Sequence, residues 1–281
     1  MARAAARLVG ATVAAVLVSS WGCGSTGGAR DLSSDRAKFF GPSRCADAHV
    51  QLCEDFESGA LDPTIWTVNG TPPVIDTLQA ARGTHALHIT MPGKGASYID
   101  ETRTFPAAND TYYGRAFVYF QSLPTPAASF DYAHWTFIAA SGTGVTGEVR
   151  VSGQMQNGVN LFGVGTDSLT DPNGTGDWTN ADGDPGPNGT PSPVPTGQWL
   201  CIEWMHDGAH NQTRLWWDAL EHPSLGTVAT TPHQGNATVP FTLPTFTNVW
   251  LGWYEYQPTT EPFELWLDEI AIDGARIGCV I

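Results

Sequence analysis

The chain has 281 residues, with 13 Lys+Arg against 28 Asp+Glu and a formal charge of −15. Hydrophobic residues make up 41%, aromatic residues 11% and charged residues only 15%, a core-forming composition that argues against disorder. The 31 Gly and 20 Pro punctuate the whole chain and argue against a helical bundle, while the acidic balance disfavours a nucleic-acid partner.

Residues 1–22 read as an export signal. Arg3 and Arg7 form its positive start, and Leu8 to Val18 is an apolar run shorter than the ~20 residues that a membrane span needs. The stretch Val18-Ser19-Ser20-Trp21-Gly22-Cys23 resembles a bacterial lipoprotein box, although Ser20 stands where Leu is usual and Trp21 is bulky. That resemblance implies a lipid on Cys23 and a membrane anchor. The alternative is ordinary secretion, with cleavage near Gly22 or Ala29. Residues 23–44 are expected to be a flexible tether, and residues 45–281 a single domain.

Short apolar-alternating runs between turn clusters follow, the pattern of a sandwich or barrel. Strands are predicted at Leu52–Phe56, Ala86–Met91, Tyr98–Phe105, Tyr112–Phe120, His134–Ala140, Glu148–Gln156, Val159–Gly163, Trp199–Met205, Thr213–Trp217, Asn248–Tyr256 and Phe263–Ile272. No repeat is visible. The expected fold is all-β, two stacked antiparallel sheets, with the N-terminal strand beside the C-terminal one. In Glu148–Gln156 every even position is polar, so one face is buried and the other wet. In Asn248–Tyr256, Trp250, Tyr254 and Tyr256 share one side, with Leu251, Trp253 and Glu255 on the other. Rings on both faces suit a sheet whose outer surface is concave and binds a ligand. Between these runs, Gly165–Gln198 is a long acidic loop carrying Asp167, Asp171, Asp177, Asp182, Asp184 and Trp178. It is either a solvated flap or a calcium-ordered lid.

Cys45, Cys53, Cys201 and Cys279 allow three disulfide connectivities in an exported chain. The expected one pairs Cys45 with Cys53 and Cys201 with Cys279. A zinc site is disfavoured, because no C-x-x-C pair exists. Six Asn-x-Thr triplets, at Asn69, Asn109, Asn173, Asn188, Asn211 and Asn236, read as turns.

The order Cys53-Glu54-Asp55-Phe56-Glu57-Ser58-Gly59, Trp66, then Arg82-Gly83-Thr84-His85-Ala86-Leu87 resembles the opening of concanavalin-A-like jelly rolls. Trp199–Trp204 and Leu265-Trp266-Leu267-Asp268-Glu269-Ile270 fit the same pattern. Within that group the chain is similar to exported proteins related to the fungal cellulose-induced protein and to the glucuronan lyases of polysaccharide lyase family 20. The resemblance implies a β-jelly roll over roughly Cys45–Cys279 and a structural calcium ion held by Glu57, the Gly83–His85 turn and Asp268.

It also implies β-elimination on a polyuronate, which must neutralise a carboxylate, supply a base and protonate a leaving oxygen. Arg115 is the expected carboxylate partner, His134 the base, Tyr254 or Tyr256 the acid, and Gln154 a second carboxylate donor. The motifs of family 7 alginate lyases are absent, and a charge of −15 opposes a polyanion at long range. Non-catalytic glycan binding is the alternative, with Trp135, Trp178, Trp216, Trp250 and Tyr254 as ring platforms. Glycoside hydrolysis is the third reading, with Glu203 paired to Glu255 or Glu264. In every case the partner is an extracellular polysaccharide, and a monomer is expected.

Overall fold

A computed structural model of the chain describes residues 29–143, 146–156, 158–168, 178–180, 193–222, 225, 227–228, 243–260 and 262–281. The export signal, Cys23 and most of the acidic loop lie outside the described residues, as does the side chain of Trp178.

Among the described residues the strands are β1 (Leu52–Glu54), β2 (Trp66–Gly70), β3 (Val74–Asp76), β4 (Ala86–Met91), β5 (Gly95–Glu101), β6 (Thr111–Phe120), β7 (Tyr132–Thr143) and β8 (Thr146–Gln156). They continue with β9 (Val159–Ser168), β10 (Trp178–Asn180), β11 (Trp199–Asp207), β12 (Gln212–Trp217), β13 (Leu220–Glu221), β14 (Thr227–Val228), β15 (Thr245–Glu255) and β16 (Phe263–Asp273). They form two antiparallel sheets. The nine-stranded sheet runs β13-β12-β11-β6-β16-β4-β3, with β1 beside β16 and β14 beside β12. The seven-stranded sheet runs β10-β9-β8-β7-β15-β5-β2. The expected pairing of the first and last strands is present, with Leu52 opposite Ile272.

The sheets stack face to face over one core. Trp135, Phe137, Val151, Phe162 and Trp253 of the seven-stranded sheet meet Leu87, Ala116, Val118, Phe120, Ile202 and Leu267 of the other. Trp135 and Trp253 stack at 4.8 Å between ring centroids, and Phe120 meets Phe137 edge-on at 5.7 Å across the sheets. Each such fully buried Val, Leu, Ile or Phe side chain contributes about 1.5–3 kcal/mol of transfer free energy. Trp135 is therefore a core residue and not a sugar platform. Gly153 is required beneath it, since an added Cβ would lie 2.3 Å from the Trp135 ring.

The outer face of the nine-stranded sheet is covered. The expected tether is anchored at several points where it is described: Phe39 is fully buried with Phe117, Cys201 and Cys279, Arg30 pairs with Asp273, and Arg36 with Asp218. Two disulfides, Cys45–Cys53 and Cys201–Cys279, pin the covering segments, as expected. Beneath them lies a buried ionic network. At the register shift between Asp268 and Ala271, Glu269 takes φ +48°. Its carboxylate meets Arg82 Nη1 at 2.9 Å and Arg115 Nη2 at 3.0 Å. Both guanidinium groups are fully buried, which depresses their basicity.

Candidate functional site

The outer face of the seven-stranded sheet carries the polar positions that alternate with the core. On β8 these are Glu148, Arg150, Ser152 and Gln154. Across the strand pairing, Gln154 lies opposite His134 of β7, Ser152 opposite Thr136, and Arg150 opposite Ala139. On the next strand Tyr254 lies opposite Thr136, and Trp250 lies between Ala139 and Asp100. A register shift between Leu251 and Tyr254, with Gly252 at φ +150°, interrupts the pairing just before the two tyrosines. A Cβ on Gly252 would lie 2.4 Å from the Ser97 carbonyl oxygen, so no larger residue fits the bulge.

The side chains converge. His134 Nε2 lies 2.7 Å from Gln154 Oε1. The Tyr132 ring sits 4.6 Å from the imidazole. Thr136 Oγ1 and the Tyr256 hydroxyl are 3.2 Å apart. The Tyr254 and Tyr256 rings lie 4.6 Å apart, and the Arg150 guanidinium sits 5.4 Å over the Tyr256 ring, a cation–π contact. Arg150 also pairs with Glu148 through Nε. Burial pushes the Tyr256 phenol above its ordinary range; nearby Arg150 pulls it back only in part. At neutral pH Tyr256 therefore keeps its proton and is a donor. Thr136 and Ser152 are each 1% exposed although they lie on the outer side of the sheet, so the site floor is recessed beneath its neighbours. Among the described residues the Ser152 hydroxyl has no hydrogen-bond partner. Further along the face, Tyr98 stacks on Trp250 at 4.5 Å, and Asn248 Nδ2 donates to Asp100 at 2.7 Å.

Four of the five expected catalytic residues meet here: His134, Gln154, Tyr254 and Tyr256. Arg115 does not. It lies on β6 in the other sheet, under the N-terminal segment, and its charge is committed to Glu269. Arg150 stands where Arg115 was expected. The alternation in Glu148–Gln156 sets Arg150 on the same wet face as Gln154, but polarity alone does not single out which residue of that face bears chemistry.

The other expected sets are dispersed. Glu203 is buried in the nine-stranded sheet and bonds Arg276 at 2.8 Å; Glu255 points into the core; Glu264 lies on β16. They do not form the facing pair that hydrolysis needs. Trp216 lies under Arg276, whose guanidinium is 4.5 Å from its ring.

Glu57 and Asp268 both close on the Ala81–His85 turn, but through N–H groups. Asp268 Oδ2 accepts from the N–H groups of Ala81 at 2.8 Å and Arg82 at 2.9 Å. Glu57 Oε1 accepts from those of Thr84 at 2.7 Å and His85 at 2.8 Å. Gly83, at φ +63°, is needed because an added Cβ would lie 2.3 Å from Glu57 Oε1. Calcium needs six to eight oxygens, and N–H donors repel it. The expected staple between the chain ends is made here by hydrogen bonds. As arranged, Glu57, Gly83, His85 and Asp268 do not fit a calcium cage.

The family model for the Cip1-like core domain of polysaccharide-lyase-like proteins matches residues 55–275. Among solved structures, "Cellulose induced protein, Cip1" superposes with a TM-score of 0.58 at 20% identity, covering 82% of this chain and all of that one. The alginate lyase AlyC3 gives 0.45 at 11% identity, covering 67% and 74%. The alginate lyase AlyA1 from Zobellia galactanivorans gives 0.45 at 8% identity, covering 78% and 99%. No curated protein matches the sequence.

Proposed function

Because the chain belongs to the Cip1-like family of polysaccharide-lyase-like proteins, we propose that the outer face of its seven-stranded sheet binds a polysaccharide and cleaves it by β-elimination at a uronate. The observation that carries this reading is the His134–Gln154 pair at 2.7 Å, on the same face as Arg150 and Tyr256. With the Gln154 carbonyl oxygen accepting at Nε2, that nitrogen carries the proton and Nδ1 is the basic position. Nδ1 takes the proton from the carbon next to the uronate carboxylate. The electron pair forms the new carbon–carbon double bond, the glycosidic carbon–oxygen bond breaks, and Tyr256 protonates the departing oxygen. The Arg150 guanidinium and the Gln154 amide N–H stabilise the charge that builds on the carboxylate. Tyr254, packed on Tyr256, holds the acid in place and offers its ring to a sugar.

Trp250 is buried under Tyr98 and is not itself a platform, but the Tyr98 ring stacked on it favours a second reading, glycan binding without chemistry. One experiment separates the two. Absorbance of unsaturated uronates is followed over a panel of uronate polymers with the wild type and with His134→Ala. Elimination predicts product from the wild type and a loss of at least about a hundredfold in the variant. Retained binding in both proteins, with no product from either, would leave the binding module.

The disulfides agree with an exported protein, since such bonds persist in oxidising compartments. A lipid on Cys23 would tether the domain to the cell envelope; mass measurement of the mature N-terminus tests it.

A further inference from the structure

The basic residues are distributed very unevenly between the two sheets. Arg82, Arg115, Arg214 and Arg276 bond within the nine-stranded sheet and its cover, and Arg30, Arg36 and Arg44 hold the segment laid over it. On the strands of the seven-stranded sheet the sequence places one Lys or Arg, Arg150, which already pairs with Glu148; Lys94 and Arg103 flank β5 at its two ends, Lys94 beside the Tyr254 end.

The rings on this face are flanked by carboxylates. Glu148 lies close enough to act on both the Tyr98 and Tyr256 phenols, and Asp100 acts on Tyr98. Asp100 and Trp250 are directly opposite in the β5–β15 pairing. Trp250 is opposite Ala139, five residues along β7 from His134, which is about 15 Å of extended strand. A ligand that touches both His134 and the Tyr98–Trp250 stack must therefore be a chain of several sugars. On the strands themselves Arg150 offers the one guanidinium, and the Lys94 ammonium lies at the Tyr254 end of β5, away from Asp100. A carboxylate at a neighbouring position toward Trp250 would face Asp100 or Glu148, where like charges repel.

Resting on the elimination reading, we infer that this face accepts a polysaccharide whose uronates are isolated among neutral sugars, and selects against runs of adjacent uronates. Arg150, Gln154 and His134 receive the single uronate. Tyr98, half-buried over the buried Trp250, and Tyr254 receive uncharged rings on either side. Glu148 and Asp100 act as specificity residues, by repelling a second carboxylate.

The test compares initial rates on three polymers at one low ionic strength. They are deacylated gellan, in which 4-linked glucuronates are separated by neutral sugars, a homopolymeric glucuronan, and an uncharged β-glucan. The expected kcat/KM is higher on gellan than on glucuronan by about tenfold, with no product from the β-glucan. Glu148→Gln and Asp100→Asn should each narrow that gap by raising the rate on glucuronan about two- to fivefold, the worth of one half-exposed charge contact. Melting temperatures confirm that both variants are folded. A glucuronan rate equal to or above the gellan rate overturns the inference and leaves elimination standing. Variants that lower both rates in equal proportion also overturn it, because they make Glu148 and Asp100 mere supports. Absence of unsaturated product from both uronate polymers overturns the elimination reading and this inference with it.

Discussion

Glu255 offers the sharpest test of the packing that supports the site. It ends β15 on the core side, opposite Trp135, and is 0% exposed. Its Oε2 accepts a long bond from Trp253 Nε1 at 3.4 Å, and among the described residues Oε1 has no partner. Burial pushes its carboxyl from 4.5 to about 8. The folded protein thus holds a proton that the unfolded chain releases near pH 4.5. The stabilisation from this group is fully present below pH 4.5 and is lost as pH rises to about 8. The difference of roughly 3.5 pH units corresponds to about 5 kcal/mol. Glu255→Gln keeps the shape and has no proton to lose. Urea denaturation of both proteins from pH 5 to 9 should show the variant gaining on the wild type as pH rises, by up to that amount. Asp268, which burial also pushes up to about 8, contributes equally to both proteins and cancels. A stability difference that stays constant with pH would refute the reasoning.

Arg115→Ala should destabilise the fold by about 3–5 kcal/mol, because it leaves the buried Glu269 with less compensation, while the folded fraction keeps its activity. Arg150→Ala should do the reverse, abolishing uronate turnover with a melting temperature within a few degrees of the wild type. Paired denaturation and rate measurements distinguish these outcomes. Replacing Cys201 and Cys279 by Ala, which opens a crosslink of sequence separation 78, should cost about 4 kcal/mol in chemical denaturation. Removing calcium with a chelator should leave the melting temperature unchanged; a rise on adding calcium back would mean that carbonyl oxygens replace the N–H groups now facing Glu57 and Asp268.

The long strands and the face of each residue within them were legible in the sequence. Ala86–Met91 was predicted with its observed bounds, and the even-position polarity of Glu148–Gln156 placed Gln154 on the outer side correctly. Period-two alternation reports which side of a strand a residue occupies, because the pleat enforces it. It does not report what covers that side. Arg115 alternates with Ala116 just as Arg150 alternates with Val151, yet the first is sealed under residues near Phe39 and the second faces outward. That difference rests on contacts between distant segments, such as Gly41 with Arg82 and Arg30 with Asp273. Composition made the segment before Cys45 look like a tether, and those contacts fix it instead. The short edge strands Trp66–Gly70 and Val74–Asp76 went unpredicted, since five or fewer residues carry too little alternation to read.

Hydrogen exchange with and without a bound uronate oligosaccharide tests most directly where the ligand sits. The account predicts protection confined to β7, β8 and β15, around His134, Arg150, Gln154 and Tyr254. Protection appearing instead over Trp216 and Arg214, with those strands exchanging as in the free protein, would contradict it.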